Sequence, residues 1–225
     1  MKNLYNALLL KQLYQLKHLG YNYSNVVPYK ENESSLALPS KFDDLASQAN
    51  DCHLCELSKS RHNVVFGEGD LNADIFFIGE SPGTNEDNEG KPFLGRSGEL
   101  LTKMIENVLN IKRQSVYIAN IVKCRPPDNR AISSIEALTC KPYIFKQIEL
   151  IKPKLIVALG ETAYYYLTGD EIKINKIRGT MHTQDGYTII PTYHPSYLLR
   201  NPSAKKEVFE DLKKVKELMK KLSLY

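Results

Sequence analysis

The stretch ADIFFIGESPG (73–83) decides the fold, because an unbroken apolar run that ends at Gly79 and passes into Pro82-Gly83 is the pattern of a strand covered on both faces and running into a tight loop. Working outward, SGELLTKMIENVLN (97–110) has helical apolar spacing and VYIANIVK (116–123) reads as a second strand. Residues 133–151 read as a helix that Ser133 or Ser134 can cap. KLIVALG supplies a third strand over Leu155–Leu159, turning at Gly160 into the short helix ETAYYYLTG, and GYTIIPTYHP (186–195) is a fourth strand closed by a proline turn. Strands alternating with helices predict an α/β fold, a three-layer α/β/α sandwich around a central four-stranded parallel sheet. Ligands of such sheets bind outside the carboxyl ends of the strands. Here those ends carry Glu80, then Asn120 and Lys123, then His194, so one site is expected there.

Upstream, residues 1–19 read as a helix with Leu9, Leu13 and Leu16 on one stripe, followed by a polar stretch to about residue 40. The expected organisation is an appendage over 1–45 and one globular domain over 46–225. Lys11 and Lys17 interrupt the first apolar run, which is too short to span a bilayer, so neither an export signal nor a membrane anchor is expected. At the other end Lys205, Lys206, Lys213, Lys214, Lys216, Lys220 and Lys221 alternate with Val208, Leu212, Val215 and Leu222 as in an amphipathic helix with a wet face. The formal charge of +4 permits a nucleic-acid partner without requiring one.

All four cysteines of the 225-residue chain fall into one pattern, Cys52-x2-Cys55 with Cys124 and Cys140. In a reduced cytoplasmic protein, grouped cysteines point to metal binding rather than disulfides. A four-thiolate site suits zinc and an iron–sulfur cluster alike, and the spacing leaves both open.

Gly79-Glu80-Ser81-Pro82-Gly83 with Glu86-Asp87, then Gly90-Lys91-Pro92-Phe93-Leu94-Gly95 and Ser97-Gly98-Glu99-Leu100-Leu101, resembles the first motif block of the family 4 uracil-DNA glycosylases. Asn120-Ile121-Val122-Lys123-Cys124-Arg125-Pro126-Pro127 and Thr192-Tyr193-His194-Pro195-Ser196-Tyr197-Leu198-Leu199-Arg200 follow in the family's order. The resemblance covers about residues 50–215. It implies a DNA-repair hydrolase that flips uracil out of DNA, cleaves its N-glycosidic bond and leaves an abasic site. It also implies a [4Fe-4S] cluster on Cys52, Cys55, Cys124 and Cys140, with zinc as the alternative.

The implied chemistry suits the residues. Glycosidic cleavage passes through an oxocarbenium-like sugar while negative charge builds on the departing base. His194 is expected to donate a hydrogen bond to uracil O2, a contribution of oxyanion-hole type worth ~3–4 kcal/mol. Asn120 can accept from N3–H and donate to O4, the reverse of what cytosine offers. By resemblance Phe93 stacks on the flipped base, while Gly79 and Ser81 line the pocket and Glu86 approaches C5, crowding out a thymine methyl. The best known uracil glycosylases read GQDPYH in this block, with an aspartate that orients the attacking water; that position is Ser81 here, so Glu80 or the local backbone is expected to hold the water. For the DNA itself, Leu198 and Leu199 are expected to wedge into the stack beside Arg200, with Lys123, Arg125 and Arg130 forming a basic rim for phosphates.

The implied partner is uracil-containing DNA, single- or double-stranded, acted on by a monomer associated with the nucleoid, with a sliding clamp as a candidate partner. Two rivals are a non-catalytic iron–sulfur or zinc module of a replication assembly and a glycosylase acting more broadly on deaminated bases. Asn120 with His194 argues against the first. Glu80, where family 5 relatives carry alanine, argues against the second. A covalently trapping relative would carry a basic insert after the first block, which is absent between Phe93 and Ser97.

Overall fold

The computed structural model describes residues 38–224. Its elements run α1 (Phe42–Asn50), β1 (Glu68–Gly69), β2 (Ile75–Gly79), α2 (Thr84–Glu89), α3 (Gly95–Met104), β3 (Tyr117–Asn120), α4 (Ser134–Ile151), β4 (Leu155–Leu159), α5 (Glu161–Thr168), α6 (Ile174–Ile177), β5 (His182–Gln184), β6 (Tyr187–Thr192), α7 (Pro195–Arg200) and α8 (Lys205–Lys221). The expected helix over 1–19 lies outside the described residues.

The sheet has the order β1-β3-β2-β4-β6-β5. Its four central strands are parallel, as the alternation of strands and helices predicts. β1 and β5 add an antiparallel strand at each edge. Every residue of β2, β3 and β4 is buried, which explains why these strands read as continuous apolar runs rather than alternating ones. Side chains of period two divide between two layers. Ile75 and Phe77 of β2 join Leu155 and Val157 of β4 in a core completed by Leu101 of α3 and by Val208, Leu212, Val215 and Met219 of α8. The opposite face carries an edge-to-face aromatic cluster, with Phe76 and Tyr117 at 4.9 Å and Phe42 set 5.7 Å from Tyr117. Each large apolar side chain so buried contributes about 1.5–3 kcal/mol.

Register builds the site. Gly79 pairs with Asn120 and Leu159 pairs with Thr192, so the four parallel strands end level with one another. Helix α1 is a departure from expectation, because it straddles residue 45, with Phe42 and Leu45 packed inside the domain. The helix expected over 97–110 is also shorter. It passes at Ile105–Leu109 into a π-turn that ends on the left-handed Asn110.

Candidate active site and cysteine centre

A cleft of about 460 Å³ opens at the carboxyl ends of the parallel strands. Glu80, Ser81, Glu86, Phe93, Asn120, His194 and Arg200 all line it. Residues separated by more than a hundred positions are therefore brought together as the strand-end argument anticipates.

Asn120 closes the floor. It is only 2% exposed, and its Oδ1 is one of two buried side-chain atoms among the described residues with no hydrogen-bond partner. A buried acceptor left unmade costs about 1–3 kcal/mol, so the amide is held ready for a donor that arrives with a ligand. Gly79 makes room for it. A Cβ at Gly79 would lie 2.5 Å from Asn120 Oδ1 and 2.6 Å from Phe93 Cζ, so any side chain there would fill the slot.

Phe93 is held in a left-handed conformation (φ 52°), unusual for an aromatic residue and a form of strain that collects at functional sites. Its surroundings enforce it. Gly98 lets the start of α3 approach so closely that a Cβ would lie 1.9 Å from the Phe93 carbonyl oxygen. Arg113 donates to the Pro92 carbonyl at 2.8 Å. Glu86 accepts from the Leu94 N–H at 2.9 Å and from the Gly83 N–H at 3.1 Å, tying the glycine turn to the Phe93 loop. The carboxylate expected to face a bound base thus also fastens two walls of the cleft.

His194 sits 5.5 Å from the Phe93 ring, centre to centre. The Ser196 N–H donates to its Nδ1 at 3.2 Å, and the Ser196 hydroxyl lies 2.8 Å from the same atom. An Nδ1 that accepts carries no proton, so the neutral ring bears its hydrogen on Nε2. Burial, aided by the Arg200 guanidinium, pulls the imidazole pKa down to about 4 and keeps it neutral near pH 7. The site therefore offers an uncharged N–H donor opposite an amide that both donates and accepts. Glu80 lines the cleft beside them, its Oε1 accepting from the Ile132 N–H at 3.4 Å.

Two residues expected to contact DNA, Lys123 and Leu198, are buried instead. Lys123 is 2% exposed and points inward, its ammonium donating to the Asn120 carbonyl at 2.9 Å and to Gln147 Oε1 at 2.5 Å; burial pulls its pKa down to about 7. Lying before the turn to Cys124, it serves the interior and not a phosphate rim. Leu198 is 1% exposed and belongs to the core beneath α7, so it offers no wedge; Leu199 is half-buried beside it. Arg130 is exposed, but forms a two-armed ion pair with Glu136 at 2.6 and 2.9 Å. Arg125 is half-buried and reaches Asn129 on the cleft rim at 2.9 Å.

All four cysteines are free thiols lining a second cavity. Cys52 and Cys55 come from the segment after α1, Cys124 from the turn after β3 and Cys140 from α4. Among the described residues no three His, Cys, Asp or Glu side chains are placed to hold a single metal ion. The surroundings nevertheless suit anionic sulfur. Arg61 Nη1 donates to Cys124 Sγ at 3.2 Å and the Lys123 N–H to Cys140 Sγ at 3.4 Å. As a plain thiol Cys140 is pushed by burial up to about 12.

Asp87 connects the two centres, a role not apparent from the sequence. Buried in the first turn of α2, its carboxylate accepts from the N–H groups of His62 and Asn63 and from His62 Nδ1 at 2.8 Å. It thereby fixes the segment that delivers Arg61 to Cys124. Its only signal in the sequence is adjacency to Glu86.

A family model described as the uracil DNA glycosylase superfamily matches residues 66–213, a span that contains the whole cleft. The Type-4 uracil-DNA glycosylase of Saccharolobus solfataricus is 46% identical over 185 residues, covering 79% of this chain and 86% of that protein. Its counterpart in Thermotoga maritima is 45% identical over 181 residues, covering 79% and 94%. A third, from Sulfurisphaera tokodaii, is 44% identical over 175 residues, covering 74% and 80%.

Proposed function

We propose, from the premise that this chain belongs to the uracil DNA glycosylase superfamily, that it is a DNA-repair hydrolase that excises uracil from DNA and leaves an abasic site. The observation that carries the reading is the orphaned Oδ1 of Asn120, buried at the floor of a cleft that also presents Phe93 and His194. Uracil supplies the missing donor through N3–H. The Asn120 amide nitrogen donates in turn to O4, and cytosine, with the opposite pattern, would leave both groups unpaired.

The chemistry proceeds on this chain's own groups. Extrusion of the base into the slot beside Phe93 costs a few kcal/mol, which stacking on the ring offsets in part. As the N-glycosidic bond lengthens, the sugar gains oxocarbenium character and the base gains charge. His194 Nε2–H meets that charge at O2. Because the imidazole is already neutral, it stabilises the leaving anion as a hydrogen-bond donor without having to give up its proton. Glu80 orients the water that captures the sugar, while Glu86 and the turn it holds fill the space beside C5 and crowd a thymine methyl.

Cys52, Cys55, Cys124 and Cys140 hold a [4Fe-4S] cluster in this reading. The donor set supports it, four sulfurs around one cavity with a guanidinium and a backbone N–H directed at two of them. When bound, the cluster cross-links the segments behind the pocket, and hydrolysis asks no electrons of it. The protein works in the cytoplasm on nucleoid DNA, and no helix among the described residues is long and apolar enough to cross a membrane.

The test is incubation of the purified protein with a uracil-containing oligonucleotide, without magnesium, followed by alkali to reveal abasic sites. Strand breaks at uracil alone, with thymine and hypoxanthine lanes intact, are expected. Asn120→Ala should lower kcat/KM by roughly a hundredfold or more with no loss in the urea midpoint, since it removes an unsatisfied buried acceptor. DNA binding without breaks from folded, iron- and sulfide-containing protein would establish the binding-module alternative. Breaks at hypoxanthine would establish the broader enzyme, and zinc in place of iron would overturn the cluster assignment.

A further inference from the structure

Two tyrosines at the mouth of the cleft have no part in the chemistry above. Tyr193, between Thr192 and His194, and Tyr197 of α7 stack with ring centres 4.7 Å apart and planes inclined by 21°. Both line the cleft with Arg200. The Arg178 guanidinium stands over the Tyr193 ring at 5.8 Å, and its pairing with the buried Asp211 at 2.8 Å anchors it to α8. Thr192 donates to the other Asp211 oxygen at 2.7 Å, which holds the strand end under Tyr193. The pair is therefore a fixed surface. Tyr197, its outer member, is 36% exposed, whereas Leu198, the residue expected to meet the DNA stack, is sealed in the core.

The cleft also exceeds what one pyrimidine needs, since 460 Å³ falls in the range that accommodates drug-sized ligands. Its deep end, at Asn120 and Phe93, is closed, and its outer end carries rings and a guanidinium. Sequence-tolerant binding of single-stranded nucleic acid is built from such parts, an aromatic face for a base and a cation for the backbone.

Resting on the uracil-excision reading, we propose that Tyr193 and Tyr197 form a subsite for the nucleotide adjacent to the uracil, whose base stacks on Tyr197 while its phosphate meets Arg200. The ligand class is a nucleobase of any identity on the same strand. One flanking base is thus held as the uracil leaves the stack, and the enzyme reads two nucleotides, one by hydrogen bonds and one by its π-face.

The experiment measures KM and kcat on single-stranded oligonucleotides carrying one uracil, with either neighbouring nucleotide replaced by a base-free spacer. It also measures anisotropy-based affinity for a labelled oligonucleotide containing thymine and no uracil. Tyr197→Ala is expected to raise KM about tenfold on the intact oligonucleotide, lower kcat by less than about twofold, and weaken the thymine-only oligonucleotide in parallel. The penalty should vanish when the base on one particular side is missing. Tyr197→Phe should recover most of the affinity, because the ring and not the hydroxyl binds. A Tyr197→Ala protein with unchanged KM and affinity would overturn the subsite, as would a penalty undiminished when both neighbours lack bases. Failure of the parent enzyme to cut uracil would refute the excision reading instead, while ring-dependent affinity for the thymine-only oligonucleotide would still report on the subsite.

Discussion

At the scale of single residues, the side chains that stand at or just past a strand's carboxyl end could be read from the sequence. Glu80, Asn120 and His194 each follow an apolar run, and parallel strands in register bring such positions together. Lys123 and Leu198 could not be read in the same way. A lysine three residues past the Asn120 strand end looks like a surface charge, and only the fold shows its ammonium closing on the Asn120 carbonyl. Leu198 lies on a helix of one and a half turns, too short for its buried face to show as a period. His194 carries a pH prediction. Its folded pKa of about 4 lies below the ordinary value of 6.5, so between those limits the unfolded chain binds a proton that the folded chain refuses. The stability gained by keeping it neutral is complete above about 6.5 and is lost as pH falls toward 4. Urea titrations should show the wild type losing about 1–3 kcal/mol more than His194→Gln across that window. Excision should show no acidic limb from His194 above about pH 5.

At the scale of elements, the four parallel strands and the long helices declared themselves through continuous apolar runs and helical spacing. β1 and β5 did not, because two- and three-residue strands are too short to show alternation. Helix α1 was hidden for another reason. Its buried positions are only Leu45 and Ala49, preceded by Asp43 and Asp44 and separated by Ala46, Ser47 and Gln48, too few apolar residues to stand out as a helical period. The best specified element is α4. Ser133 accepts from the Glu136 N–H while Glu136 accepts from the Ser133 N–H, a reciprocal cap. The Arg130 guanidinium holds the Glu136 carboxyl down at about 2. This helix carries Cys140, so its first turn supports the cysteine centre. Ser133→Ala should cost about 1 kcal/mol in urea unfolding at neutral pH, and Ser133→Asp should recover most of it.

At the scale of the whole molecule, the cysteine centre joins a segment after α1, the turn beyond β3 and the middle of α4. A cross-link spanning that much chain removes loop freedom from the unfolded state. Removal of the proposed cluster by oxidation and chelation, or substitution Cys52→Ser, should therefore lower stability by at least about 3 kcal/mol. Denaturant unfolding followed by circular dichroism measures it; an unchanged midpoint would show that the segments hold together without iron. The sheet carries one more consequence. Its long apolar strands all lie inside, and among the described residues both outer places are taken by strands of two and three residues running against their neighbours. Strands so brief offer little backbone for another copy to zip onto. Crowding copies of this protein together therefore gives fibril-like growth no template from the described sheet, and light scattering from concentrated solutions should stay proportional to protein mass.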